Sequence, residues 1–293
     1  MSLTNNMTLS TFFLVVRVDS LILLFEGAVA SVGNGLIILV TIRSKSLQSS
    51  CNVLIAAQAL SDIIRQWHSV TLIYNSFNEN MTTVHQCYFI QLVSMLAMDF
   101  STLLMLFIAV DRFAATKYPL KYQCMKGWKY VTGILLSCLT FSSAFAVYRY
   151  TALNNDTIFC TIVDVLASSN ITVWAVGNTT INAAVVVTYV ALTRLTKVAV
   201  PEYIKINRSL NLMILLHISA WLLPIVFTLA VSLFHPCHLF SVAVQNTVII
   251  LWNITMVAPF FIYYFRSTLY NRELRSIFRL RGWKVNVASV ASS

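Results

Sequence analysis

Charged residues are scarce in this chain. Only 10% of its 293 residues are Asp, Glu, Lys or Arg, whereas 58% are hydrophobic. A soluble domain of this size carries about 25% charged residues. So low a charge content excludes an ordinary water-soluble globule, and the apolar surplus is expected to face lipid.

Cysteine is scarce as well, with six residues scattered along the chain. This number excludes a disulfide-built scaffold, and the lack of a CxxC pair argues against zinc. His235, Cys237 and His238 share one short segment, but three candidate ligands make a poor metal site. Catalytic constellations such as Ser-His, paired aspartates or HExxH are also missing at any shared depth. We therefore expect no enzyme, no metal and no cofactor.

Seven apolar segments are each long enough to cross a bilayer, which takes about 20 residues. The loops between them are brief, and no linker could hold a second domain. We predict an all-α membrane protein whose seven-transmembrane helix bundle occupies residues 19–265, between an N-terminal segment, 1–18, and a tail, 266–293. The first span is expected to act as a signal anchor. The predicted spans are 19–42, 52–74, 87–110, 130–147, 173–195, 210–234 and 242–265.

The basic residues indicate the orientation of the bundle. Of the 20 Lys and Arg residues, 17 fall in segments on one side of the predicted spans. Arg17 and Arg149 fall on the other side, and Arg65 lies within a span. Because basic loops stay in the cytoplasm, we predict that the protein lies in the plasma membrane with its N-terminus outside the cell. Four glycosylation sequons then lie outside, at Asn6, Asn80, Asn155 and Asn170.

The tail alternates apolar and basic residues at helical spacing, from Leu269 to Arg281. This pattern predicts a short amphipathic helix that ends near Gly282. Its basic face would contact anionic lipid headgroups. The alternative is a solvated basic tail.

The inner end of the third span carries the sequence Asp111-Arg112-Phe113. Cys87 stands 25 residues before Arg112, at the outer end of the same span, and Pro119-Leu120 follows the motif. An acid and an arginine at a membrane boundary are costly unless they have a role. The alternative is a pair at a helix end that reaches out to water.

These residues resemble the third span and second inner loop of rhodopsin-like G-protein-coupled receptors. Asn34, Asp62 and Ser101 are similar to polar residues of that family's first three spans. The end of the last span, residues 260–270, and the Asp111 motif more narrowly resemble the nematode serpentine chemoreceptors of the srsx type.

The resemblance implies an extracellular ligand, a small molecule or a peptide, and a heterotrimeric G protein as partners, with no nucleic acid. It implies a disulfide between Cys87 and Cys160, with Cys237 as another partner or free thiols as alternatives. It also implies that Asp111 holds Arg112 in the resting state. The residues expected to serve activation and G-protein coupling are Asp111, Arg112, Phe113, Pro119, Leu120, Tyr189, Pro224, Pro259 and Tyr263.

Several positions depart from the family pattern. One extra residue separates Trp221 from Pro224, and Ala258 replaces the asparagine before Pro259. Tyr263 follows Pro259 by four residues instead of three. The usual switch geometry is therefore not assumed.

Charged residues stand within the predicted spans at Glu26, Asp62, Arg65 and Asp99. Each needs a partner or water, and Asp62 and Arg65 can pair because they lie three residues apart on a helix. The family often binds sodium at the position of Asp62. With Arg65 one turn away, we expect that role to be weakened or lost.

The ligand contacts are the least defined part of the sequence. Ser94 occupies the position of the family's amine-binding aspartate, which argues against a biogenic amine. Asp99 could face either the cavity or a neighbouring helix. Met95, Met98 and Trp221 could form an adaptable apolar lining, or they could simply pack between helices.

A seven-span transporter or ligand-gated channel is the alternative function, because it would also explain the embedded charges. Transporters usually contain helices broken by Gly or Pro in corresponding halves. Here the mid-span prolines, Pro224 and Pro259, match receptor positions.

Overall fold

The computed structural model of the chain describes residues 8–125, 127–169, 171–196 and 238–278, together with isolated positions between 212 and 226. The predicted sixth span, 210–234, therefore lies almost wholly outside the described residues. So do several residues singled out in the sequence, namely Asn6, Asn170, Trp221, Pro224 and Cys237.

The described residues form a bundle of helices, which confirms the all-α fold class. Five of the helices are long and apolar enough to cross a membrane alone, and the second predicted span is divided between two helices. The helices are α1 Leu9–Arg43, α2 Ser50–Arg65, α3 Trp67–Asn78, α4 Val84–Lys117, α5 Pro119–Met125, α6 Trp128–Thr151, α7 Ile162–Ser168, α8 Ile171–Thr196, α9 His238–Arg266 and α10 Thr268–Phe278.

Helix α1 begins ten residues before the predicted first span. Thr8 caps it, because its hydroxyl oxygen accepts a hydrogen bond from the Thr11 amide at 3.3 Å. Its 35 residues extend about 52 Å at 1.5 Å per residue, which exceeds the ~30 Å hydrocarbon core of a bilayer. The additional turns carry Phe12 and Phe13, whose rings pack edge-on against Phe159.

A tight turn at Gln66 separates α2 from α3. The Gln66 amide donates to the Ile63 carbonyl at 3.1 Å, one residue short of the α-helical partner. The turn leaves the Arg65 carbonyl available to His68, whose Nδ1 lies 2.8 Å from it. The turn therefore satisfies its own backbone groups although neither glycine nor proline is present.

Two short strands cover one end of the bundle. Strand β1, Met81–Thr83, pairs antiparallel with β2, Thr157–Phe159. The short helix α7 follows β2 and packs against α4. Neither strand was predicted, because three residues are too few for a recognisable alternation.

Helix α4 lies at the centre of the described bundle. It packs against α2, α6 and α8 and is the most buried of the spanning helices. Its apolar residues, including Leu104, Ile108 and Ala109, belong to a core that extends to Tyr263 on α9. Groups placed on α4 therefore contact several helices at once.

Helix α10 agrees with the amphipathic helix predicted in the tail. Tyr270 and Leu274 are buried on one face, and the Tyr270 hydroxyl lies 3.4 Å from that of Thr41 on α1. The opposite face carries Arg272, which is exposed. Contact of this face with lipid headgroups remains a prediction.

Close packing between α1 and α9 generates a test of the fold. A Cβ added at Gly33 would lie 2.7 Å from the Phe260 Cβ, whereas one added at Gly35 would meet nothing within 4 Å. We expect Gly33→Ala to lower the Tm of the purified protein, because overpacking typically costs about 1–3 kcal/mol. Gly35→Ala is the control and should leave the Tm unchanged or raise it. Equal Tm values for both variants would contradict this packing.

Candidate functional site

A disulfide links Cys87 at the start of α4 to Cys160, directly after β2. Both residues are buried, together with Tyr88 and Val165. The bond fixes β2 and α7 over this end of the bundle, which we call the disulfide end. The predicted pairing is confirmed, and the thiols of Cys51, Cys124 and Cys138 are free.

The opposite end of α4, which we call the Arg112 end, carries a closed ion pair. The Arg112 guanidinium donates to the Asp111 carboxylate from Nη2 at 2.7 Å and from Nε at 3.2 Å, both to Oδ2. The Tyr122 hydroxyl donates to the other oxygen, Oδ1, at 2.8 Å. Asp111 is fully buried, and each of its oxygens accepts at least one hydrogen bond.

The local fold explains how Tyr122 reaches this carboxylate. Helix α5 starts at Pro119, directly after α4 ends, and the Tyr122 amide donates to the Tyr118 carbonyl at 2.9 Å. Partial burial and the adjacent Asp111 carboxylate raise the pKa of Tyr122, so the phenol stays protonated and keeps donating. Leu120 on the same helix is 81% exposed, so a partner could contact it directly.

Two buried tyrosines lie close to the ion pair. Tyr189 on α8 and Tyr263 on α9 are both within electrostatic reach of Arg112. Neither hydroxyl has a hydrogen-bond partner among the described residues. Pro259 is buried within α9, one turn before Tyr263. Phe113 packs against the same core, and the Lys117 ammonium lies 5.4 Å above its ring centre.

A cavity of about 40 Å³ lies in the middle of the bundle. The cavity extends to Tyr263, and the other polar residues that line it are Asn34, Gln58, Asp62, Arg65, Ser101 and Thr255. One water molecule needs about 10–15 Å³ of cavity volume. The cavity therefore has room for a few water molecules but not for a drug-sized ligand.

Gln58 lies between Asp62 and Ser101. Its side-chain amide donates to Ser101 and also to Asp62 Oδ1, the latter at 3.4 Å. Ser101 is therefore connected to Asp62 through Gln58. Asn34 spans to α9, where its amide donates to the Met256 carbonyl at 3.2 Å.

Arg65 is only loosely paired with Asp62. The nearest atoms, Arg65 Nη2 and Asp62 Oδ1, are 4.0 Å apart. The guanidinium instead turns towards α9, where Nε donates to the Met256 sulfur at 3.2 Å and the group lies 5.3 Å from the Trp252 ring centre. The predicted pair exists as a long contact, weaker than a hydrogen-bonded salt bridge.

Asp99 forms a second buried ion pair, between α4, α6 and α8. Arg149 contacts Asp99 Oδ2, and both side chains are 1% exposed. The Trp174 indole donates to Oδ1 at 3.1 Å. The sequence left open whether Asp99 faces the cavity or a neighbouring helix, and in the structure it faces neighbouring helices. The sequence assigned Arg149 to an outer segment. In the structure Arg149 is buried within α6, two residues before this helix ends.

The predicted ligand-contact residues on α4 are buried. Ser94, Met95 and Met98 are at most 2% exposed, and the Ser94 hydroxyl has no partner among the described residues. One turn closer to the disulfide end, the Gln91 side-chain amide donates to the Thr71 hydroxyl at 2.7 Å. A role in ligand binding remains a prediction. Asn80 and Asn155 lie in loops at the disulfide end, and their glycosylation also remains a prediction.

Four residues that make these contacts were not singled out from the sequence. Arg149 could have been found, because Asp99 within a span requires a cation of opposite charge. Gln58, Tyr122 and Trp174 gave no signal, since polar and aromatic residues at such positions are common.

The Asp99–Arg149 pair generates a second test. Asp99→Ala leaves Arg149 buried and unpaired, which should destabilise the protein by about 3–5 kcal/mol. The double variant Asp99→Leu/Arg149→Met should recover most of this loss, because it removes both charges. Thermal unfolding of purified protein measures both effects.

The control is the half-exposed pair between Arg17 and Glu79. Glu79→Ala should cost only about 0–1 kcal/mol, because water screens an exposed pair. A similar loss of Tm for Asp99→Ala and Glu79→Ala would contradict the burial of the Asp99 pair.

Comparison with known proteins agrees with these features. A family model described as the serpentine type 7TM GPCR chemoreceptor Srsx matches residues 28–278. This range contains the disulfide, the cavity, the Asp99 pair and the Asp111–Arg112 pair. No curated protein matches the chain significantly.

Proposed function

The chain belongs to the Srsx family of serpentine seven-transmembrane G-protein-coupled chemoreceptors, and we propose that it couples binding of an extracellular ligand to activation of a heterotrimeric G protein. The ligand, a small molecule or a peptide, binds towards the disulfide end. The G protein docks at the Arg112 end. The protein is a multi-pass membrane protein, and its family is one of receptors rather than enzymes.

The observation that carries this proposal is the closed ion pair at Asp111. Arg112 and Tyr122 occupy both oxygens of a carboxylate that is fully buried. An arginine held in this way is not available to a partner. The arrangement therefore supports a resting state in which Asp111 restrains Arg112.

Activation is a shift in population between this state and one in which Arg112 is free. In that second state Arg112 and the exposed Leu120 contact the G protein. The hydroxyls of Tyr189 and Tyr263, which have no partner among the described residues, then acquire hydrogen bonds, either to Arg112 or to water that enters. A buried hydroxyl without a hydrogen-bond partner costs about 1–3 kcal/mol of stability. This free energy favours a state in which both tyrosine hydroxyls have partners.

We propose that the disulfide end lies outside the cell, with the protein in the plasma membrane. The asymmetry of the basic residues supports this orientation, because 17 of the 20 fall in segments that the sequence assigns to the cytoplasmic side. An oxidising exterior also favours a disulfide. We further propose that the receptor bundle occupies residues 19–265 and that a cytoplasmic tail follows it.

The ligand is not an amine held by a carboxylate on α4. Asp99 is the acid nearest to Ser94 along this helix, and both of its oxygens are already bonded, to Arg149 and Trp174. Ser94 and Gln91 offer neutral hydrogen-bonding atoms instead, next to the apolar Met95 and Met98. These residues suit a ligand with neutral polar groups on an apolar body.

A ligand-gated channel or a transporter remains the second candidate, favoured by the charged cavity at Asp62 and Arg65. Ligand-evoked current across a bilayer, with no effect on a G protein, would select that function. The small volume of the cavity, about 40 Å³, favours a receptor.

The closed ion pair predicts the effect of three substitutions on signalling without ligand. Asp111→Asn and Tyr122→Phe should each raise basal activity, because each weakens the restraint on Arg112, and Asp111→Asn should have the larger effect. Arg112→Ala should abolish signalling. A second-messenger assay at equal surface expression measures all three.

Tyr118→Phe is the matched control, since Tyr118 is exposed on the adjoining loop. It should leave basal activity unchanged. If Asp111→Asn and Arg112→Ala both signal like the parent protein, the proposed restraint is refuted.

Tyr189 and Tyr263 predict a separation between stability and activation. Tyr189→Phe and Tyr263→Phe should keep or slightly raise the Tm of the resting protein, because each removes a buried hydroxyl that lacks a partner within the described part of the chain. Both should reduce the elevated basal signalling of Asp111→Asn several-fold, because the active state loses hydrogen bonds. Tyr264→Phe, a neighbour on α9 that is only partly buried, is the control. A loss of Tm with signalling unchanged would contradict this role.

A further inference from the structure

The mid-bundle cavity does not suit the sodium ion that the family resemblance implies at Asp62. A hard cation requires oxygen lone pairs directed at it. At Asp62, N–H groups approach instead, from the Gln58 amide at 3.4 Å and from Arg65 Nη2 at 4.0 Å. The Ser101 hydroxyl is also occupied, because it contacts the same Gln58 nitrogen.

Arg65 brings a fixed positive charge into this cavity. Its side chain is 8% exposed, and it lines the cavity together with Asp62. Within the described part of the chain, its terminal nitrogens make no hydrogen bond. A sodium ion at Asp62 would therefore lie beside a guanidinium, and the like charges would repel each other across a short distance in a low dielectric.

The position of Arg65 follows from the turn between α2 and α3. Arg65 is the last residue of α2, and the turn at Gln66 directs the side chains of Arg65 and Gln66 to α9. Arg65 Nε and Gln66 Nε2 donate to the same sulfur, that of Met256, at 3.2 and 2.8 Å. The charge is thus held on α9 as well as near Asp62.

We infer that Arg65 is the resident cation of the mid-bundle cavity, a covalently attached counter-ion that replaces a mobile sodium ion. The guanidinium neutralises Asp62 permanently and links the turn of the second span to α9. The stability and the resting state of the receptor are consequently independent of the external sodium concentration.

Removing Arg65 should turn the cavity into a sodium site. The carboxylate of Asp62 would then lack its cation. The side-chain oxygens of Asn34 and Gln58 line the same cavity and have no hydrogen-bond partner among the described residues. Together with Ser101 they are oxygen ligands of the kind that a hard cation prefers.

The test is thermal unfolding of the purified, full-length receptor in sodium chloride and in N-methyl-D-glucamine chloride at equal ionic strength. The Tm of the parent protein should be the same in both salts. Arg65→Met should be more stable in sodium chloride, because binding to the folded state raises the folding equilibrium constant by a factor of one plus the ratio of free sodium to Kd. Arg65→Gln is a second variant with the same expected response.

Asp62→Asn/Arg65→Met is the matched control. It keeps the enlarged cavity but lacks the carboxylate, so its Tm should not depend on sodium. A variant that folds only in the sodium salt also supports the inference. The inference is overturned if sodium stabilises the parent protein, or if Arg65→Met and Arg65→Gln are as insensitive to sodium as the parent.

Exchange of chloride for gluconate at constant sodium tests the opposite occupant, an anion bound to Arg65. The Tm of the parent protein should not change, and stabilisation by chloride would overturn the inference. None of these measurements requires a G protein, so their failure is distinct from failure of the proposed function.

Discussion

Asp99 and Asp111 are carried by the central helix α4, where a carboxylate without a partner would be expensive in a membrane. Each is fully buried and each contacts an arginine, Arg149 on α6 and Arg112 on α4 itself. The need to pair these charges constrains how the neighbouring helices pack. It brings the end of α6 and Trp174 of α8 against the middle of α4, and it brings α5 against the Arg112 end.

The two pairs differ in how easily they open. Asp99 and Arg149 are equally buried and join separate helices, so opening them would expose two charges to an apolar interior. Arg112 is partly exposed and adjoins its partner in the chain, so it can leave Asp111 for water or for another protein. The first pair suits a permanent structural link and the second suits a switch. The disulfide fixes the far end of α4, and the Arg112 end is the part that we propose responds to a ligand.

The spans and the disulfide could be predicted from the sequence because each depends on strong local signals or a specific resemblance. Six predicted spans coincide with described helices, and Cys87 pairs with Cys160 as expected. The division of the second span at Gln66 could not be predicted, because the turn is made by backbone and side-chain hydrogen bonds without glycine or proline. The approach of Gln58 to Asp62 and of Arg149 to Asp99 depends on side chains that reach between helices. Hydropathy and charge counting locate a residue along the chain and do not show its direction.

Nucleotide exchange with purified components tests whether Asp111 restrains an arginine that activates a G protein. Asp111→Asn in lipid nanodiscs serves as a receptor activated without ligand, and Asp111→Asn/Arg112→Ala serves as its matched control. We expect nanodiscs with the first variant to accelerate GTP-analogue binding by a heterotrimeric G protein, tested across G-protein classes, and the double variant to equal empty nanodiscs. Equal exchange rates for both variants and empty nanodiscs, with every G-protein class, would contradict this restraint.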